Sequence, residues 1–167
     1  GWFTFSGNPA LRETVLLAQY PNTQNPGATL TAIDPLGKSR AQACGFSLEM
    51  RQNTTTTRDV ILMNHEPVSV PTLFGLYGTN ARMAYLRHGS DGAPARLMIR
   101  HGSSFTQQGK ALFSSGQFVA DLEAQFLGAV LALRSNPSTA TVTLHAPHAQ
   151  QRHAAIAGHD CPSHVGR

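Results

Sequence analysis

The chain has 167 residues and a mass of 17.9 kDa, the size of one ordinary domain. Its 41% hydrophobic content suffices for a single core and excludes wholesale disorder, while a charged fraction of only 13% excludes coiled coils, long solvated helices and charged tails. The net charge of +4 is mildly basic, and no apolar run approaches the roughly 18 residues of a membrane-spanning helix. Phe126 to Leu133 is the longest such run.

In chain order, the opening Gly1-Trp2-Phe3-Thr4-Phe5 carries no signal peptide, which suits a mature secreted chain or a trimmed intracellular one. Asn8-Pro9 marks a turn or a helix start, and residues 13–20 read equally as strand or helix. Pro21 to Gly27 is a loop by composition. Residues 28–33 then have strand character, and Asp34-Pro35-Leu36-Gly37 is a turn. Phe46, Leu48 and Met50 alternate with Ser47, Glu49 and Arg51, the pattern of a half-buried strand. Thr54 to Thr57 suits an edge or a loop, and Val60-Ile61-Leu62-Met63 a short buried strand. Met83 to Leu86 and Leu97 to Ile99 are further strands, joined through the turn-rich stretch His88 to Pro94.

Between Val119 and Arg134, the residues Leu122, Phe126, Ala129, Val130 and Leu133 fall on one face at helical spacing. Asp121 and Glu123 near its start and Arg134 at its end match a helix dipole, so the spacing predicts an amphipathic helix. Thr141 to Leu144 forms a last strand, followed by a tail rich in histidine. The expected architecture is mainly β: a single antiparallel β-sandwich or open barrel over residues 1–145, with one helix near 119–134. Residues 146–167 form the tail.

Two cysteines, Cys44 and Cys161, lie far apart. A disulfide between them closes a long loop and stabilises the fold by about 4 kcal/mol in the chain-entropy model. It would also tie the tail back; a pair of buried thiols is the alternative. Few charges, many small polar residues and an even cysteine count point to an oxidising compartment. The sequon Asn53-Thr54-Thr55 marks Asn53 for glycosylation in a secreted chain.

Five of the eight histidines follow residue 144: His145, His148, His153, His159 and His164. Imidazoles suit zinc or copper, and Cys161 adds a thiolate unless it is paired with Cys44. A polar tail without metal is the other reading. Arg82, Arg87, Arg96 and Arg100 surround the single acid Asp91. On neighbouring strands they would form a basic stripe for an acidic glycan, a nucleic acid or a protein; a merely solvated sheet face is the alternative. Tyr85 is the one aromatic within that stretch, too few for base stacking. No nucleophile elbow, phosphate-cradling loop, dinucleotide fingerprint or zinc-protease motif occurs, although an active site assembled from distant residues leaves no such trace.

Ala84-Tyr85-Leu86-Arg87-His88-Gly89-Ser90-Asp91-Gly92-Ala93-Pro94, leading to Leu97-Met98-Ile99, resembles a motif of the chordin-type (CHRD) domain. That family has Ala-His-Ile/Leu-His, a Gly-rich turn, Gly-Pro and an apolar strand. Asp121 to Arg134, Thr141 to Ala146 and Ile156-Ala157-Gly158 are similar to its later helix, strand and closing triplet. The resemblance covers about residues 80–158. Tyr85 and Arg87 replace two family histidines, Ala157 replaces an arginine, and only His145 stands at a matching histidine position. The resemblance implies an extracellular β-rich module without established catalysis.

Three functions follow as expectations. The first is a non-catalytic extracellular binding or structural module that contacts a protein or glycan partner, or builds a homo- or hetero-assembly. The second is a zinc- or copper-binding protein using the C-terminal histidines. The third is a small basic subunit of a larger complex.

Overall fold

The computed structural model describes residues 2–4, 14–16, 29–37, 43–66, 68–127, 130–135, 141–145 and 152–155. The strands are β1 (Trp2–Thr4), β2 (Thr14–Leu16), β3 (Thr29–Pro35), β4 (Ala43–Gln52), β5 (Thr55–Asn64), β6 (Thr72–Phe74) and β7 (Tyr77–Thr79). They continue as β8 (Met83–His88), β9 (Pro94–Gln107), β10 (Lys110–Leu127), β11 (Val130–Ser135), β12 (Thr141–Leu144) and β13 (Arg152–Ala155). β1 and β2 pair with each other. The main sheet runs β13-β12-β10-β9-β8-β5-β4-β3, with β11 beside β10, β7 beside β9 and β6 beside β7. Every pairing is antiparallel, and the sheet curls into a half-barrel. No helix among the described residues is long and apolar enough to cross a membrane.

The curl originates in the β9–β10 hairpin. Its register shifts between Ser114 and Val119, so the two long strands bend there and serve both halves of the sheet. Before the bend, β9 pairs β8; after it, β9 pairs β7. β10 likewise pairs β12 near its start and β11 near its end. The bend brings Val60, Leu62, Ala84, Leu86, Leu97, Ile99 and Leu122 into one core with Phe105, Phe113, Val142 and Leu144. Burial of these side chains, at about 25 cal/mol per Å² of apolar surface, is the main force holding the curl.

The helix expected over 119–134 is not present: residues 119–127 belong to β10 and 130–135 to β11, paired from Leu122↔Ser135 to Leu127↔Val130. Leu122 and Phe126 are four residues apart, a spacing that shares a face in a helix and in a strand alike. Ala124 separates the two patterns. It is fully buried beside Leu122, while Asp121, Glu123 and Gln125 are less buried in alternation, which is period two. Cross-strand partners Leu97 and Ile99, supplied by β9, complete a buried face that a lone helix would lack.

Elsewhere the strands expected near 28–33, 46–51, 60–63, 83–86, 97–99 and 141–144 are β3, β4, β5, β8, β9 and β12. Thr54 lies in the turn before β5, and Thr55 to Thr57 begin that strand with Thr55 and Thr56 exposed. β13 lies in the segment read from sequence as a tail, and its backbone pairs β12.

Candidate binding site

The face of the sheet opposite the main core carries three ion pairs. Cross-strand register sets its rows: Leu48, Asp59, Arg87, Arg96 and Gln125 form one, running across β4, β5, β8, β9 and β10. Phe46, Ile61, Tyr85, Met98 and Glu123 form the next, and Cys44, Met63, Met83, Arg100 and Asp121 the third. Directly opposed side chains in antiparallel strands stand about 5 Å apart, close enough to pair.

Three of the four arginines singled out in the sequence meet a carboxylate. Arg87 makes a two-pronged contact with Asp59, Nε to Oδ1 and Nη2 to Oδ2, each at 2.7 Å. The hydrogen bond to Asp59 is the chief reason that the Arg87 guanidinium holds its proton more tightly than usual. Its charge also lies 6.0 Å from the centre of the Tyr85 ring. Burial first, and then the Asp59 charge, push the Tyr85 hydroxyl up to about 12. Arg96 reaches Glu123 at 2.7 Å, and Gln125 Nε2 donates to the same carboxylate oxygen at 2.9 Å. Arg100 Nε lies 3.0 Å from Asp121 Oδ1.

The fourth, Arg82, is exposed just before β8 and pairs with no carboxylate among the described residues. It lines an open recess of 440 Å³ with Met63, Met83, Arg100, His101 and Asp121. Two guanidiniums thus share this recess with one carboxylate.

Small residues set the backbone beside the recess. A Cβ on Gly102 would come within 2.3 Å of the Ala81 Cβ and 2.6 Å of its Cα, so only glycine lets these backbones approach. The preceding His101 adopts φ +47°, the left-handed region that non-glycine residues rarely enter. Its carbonyl accepts a hydrogen bond from Arg82 N at 3.1 Å. Asn80 ties the same connection to β9: its Oδ1 accepts from Ser103 N and Ser104 N, both at 2.9 Å, and its Nδ2 donates to Ser103 Oγ at 2.8 Å. From β5, Asn64 Nδ2 donates to the Ala81 carbonyl at 2.7 Å. These buried amides satisfy backbone groups where the connection leaves the ladder.

A second concavity, 710 Å³, opens at the sheet's other end, lined by Asp91, Gln107, Gln108, Lys110 and His145 among others. His145 N donates to the Leu112 carbonyl at 3.0 Å. Beside it, His88 is buried: its Nδ1 lies 2.9 Å from the Gly92 carbonyl and its Nε2 3.3 Å from the Tyr77 hydroxyl. A carbonyl can only accept, so Nδ1 carries the proton of the neutral ring and Tyr77 donates to Nε2. Burial is the main cause of the lowered His88 pKa, and it raises that of Tyr77.

Among the described residues, no three of His, Cys, Asp and Glu gather as a metal-binding group. His148, His159, His164 and Cys161 lie outside the described residues. His153 is in β13, its backbone opposite Thr143. Cys44 stands opposite Met63 and packs on the cluster of Phe46, Leu48 and Met63. Asn53 is exposed at the tip of the β4–β5 hairpin with φ +55°.

Sequence reasoning did not single out Met63, Met83, Asn80, His101 or Asp121 as site residues. Asp121 read as a helix-start acid. The Asn80-Ala81 and His101-Gly102 dipeptides were the available signals, since Asn and Gly beside strands mark irregular backbone. The chain matches no protein-family model and no curated protein sequence.

Proposed function

We propose that this chain is a non-catalytic binding module that contacts an acidic partner through the Arg82–Arg100 end of its outer sheet face. The observation that carries this reading is the recess itself, where two guanidiniums and His101 surround a single, partly exposed carboxylate. A guanidinium presents a planar fork of donors to a carboxylate or sulfate, and Arg82 brings one that no carboxylate among the described residues occupies. The low charged fraction, the exposed Asn53 sequon and the resemblance of residues 84–99 to the chordin-type motif support an extracellular setting, with Cys44 and Cys161 joined and Asn53 glycosylated.

The test is binding of a fluorescein-labelled low-molecular-weight heparin and of poly-L-glutamate at low salt. The expected result is saturable binding that weakens steeply with added salt and is lost in the R82A/R100A double variant. Absence of binding to both polyanions, or binding unchanged in the double variant, overturns the reading. For the setting, intact mass with and without reduction and alkylation reports the cysteines. Two alkylated thiols in the unreduced protein would remove the disulfide.

A further inference from the structure

The recess is lined by more than charge. Met63, only 8% exposed, and the half-buried Met83 stand directly opposite each other across β5 and β8. Met83 in turn stands opposite Arg100 across β8 and β9. Met63, Met83, Arg100 and Asp121 therefore form one row, passing from thioether to guanidinium within neighbouring strands. From this juxtaposition we infer that the recess takes an acidic protein segment in which a carboxylate sits beside an apolar side chain. The inference rests on the acidic-partner reading and names the partner's chemistry.

Three physical points lead there. Methionine is unbranched and polarizable, so a thioether wall adapts to aliphatic and aromatic shapes alike. Arg100 touches Asp121 through Nε, and with 60% of its side chain exposed it still presents its terminal nitrogens to an incoming carboxylate. A volume of 440 Å³ lies at the small end of the roughly 300–1,000 Å³ typical of ligand pockets, suited to a short segment. A sulfated glycan would satisfy the guanidiniums, yet it brings no apolar body to cover the part of Met83 that water still reaches. A carboxylate with an apolar neighbour meets both halves of the row.

Asp121 sets the selectivity of this arrangement. It repels an incoming anion while holding Arg100 in place, so the apolar contact with Met83 must supplement the charge attraction. D121N is accordingly expected to strengthen binding of every anion and to reduce the preference for an apolar neighbour.

The experiment compares fluorescein-labelled acetyl-Gly-Gly-Asp-Phe-Gly-amide with the same peptide bearing Ser for Phe, alongside the labelled heparin, by fluorescence anisotropy on the full chain. The Asp-Phe peptide is expected to bind about tenfold more tightly than the Asp-Ser peptide, the worth of one partly buried apolar side chain. M83Q is expected to abolish that preference while leaving heparin binding intact. Should M83Q not fold, the comparison of the two peptides on the unaltered chain decides by itself. Equal affinity for the two peptides, or heparin binding without peptide binding, overturns the inference and leaves the acidic-partner reading standing. Binding of neither peptide, nor of heparin or poly-L-glutamate, removes both.

Discussion

The two ends of the outer face use the same residue types for opposite ends. At one, Asp59 is nearly covered, with 9% of its side chain exposed, and Arg87 grips it with both prongs beside Tyr85. At the other, Arg100 and Asp121 meet through one guanidinium nitrogen with 60% and 43% of their side chains exposed. Water reaches both members of the second pair but only the guanidinium of the first, whose carboxylate is covered, so the Arg87 end is built to hold strands together while the Arg100 end remains available to a partner. The arginine's neighbours decide this. Cross-strand alignment gives Arg87 a buried carboxylate, whereas the bend at His101-Gly102 leaves Arg100 beside a rim.

The largest effect should come from the bend. G102A places a methyl group against the Ala81 backbone, and urea denaturation should show a loss on the order of 3 kcal/mol. A loss below about 1 kcal/mol would mean that the Ala81 connection can retreat, which would weaken the account of how the recess is held.

Next in size, R87A strands the covered Asp59 carboxylate and should cost about 2 kcal/mol. The double variant R87L/D59A, which removes both charges, should recover much of that loss. If the double variant is no more stable than R87A, the pair itself contributes to stability beyond avoiding an unpaired charge.

A smaller effect concerns pH. Because His88 is buried, its folded-state pKa is depressed below the unfolded value of about 6.5. The unfolded chain therefore binds this proton more readily than the folded one. The stability contribution is complete above about 6.5 and declines as pH falls through that value toward the folded pKa. Arg58, opposite His88 on β5, adds to the depression, and Asp59 opposes it. Urea midpoints measured from pH 7.5 to 5 should fall, and H88Q should flatten the His88 part of the slope. An identical slope in H88Q would show that other groups govern acid sensitivity.

The smallest stability change belongs to R100A, below about 1 kcal/mol, because exposed pairs contribute little. Heparin affinity should nevertheless drop measurably in the same variant. That split, weak on stability and strong on binding, is the reverse of what R87A should give, and equal effects on both readouts in both variants would erase the contrast between the two ends.

Several strands were legible from local pattern. Phe46 and Leu48 alternate with Ser47 and Glu49 because they share the face of β4 that packs on Met63, and the apolar run Val60 to Met63, β-branched at Val60 and Ile61, announces a strand. The stretch from Val119 to Arg134 was misleading for a definite reason: Leu122 and Phe126 satisfy helix and strand periodicity together. Only pairing with Leu97 and Ile99 settled the choice.

The site was legible in part. The arginines stood out by composition, and the turn-rich 88–94 stretch by its glycines, but the sequence has no means of showing which arginine meets an acid. Asp59 and Arg87 are 28 positions apart and become neighbours through register, as do Met63 and Met83. Sequence alone thus determined the β-rich class, the turn between β8 and β9 and the basic stretch, because alternation and glycine act over a few residues, whereas Asp34 and Pro35, which read as a turn, lie in β3. Tertiary structure alone decided which charges are held and which remain open, because electrostatic pairing and burial depend on distances that only strand alignment sets.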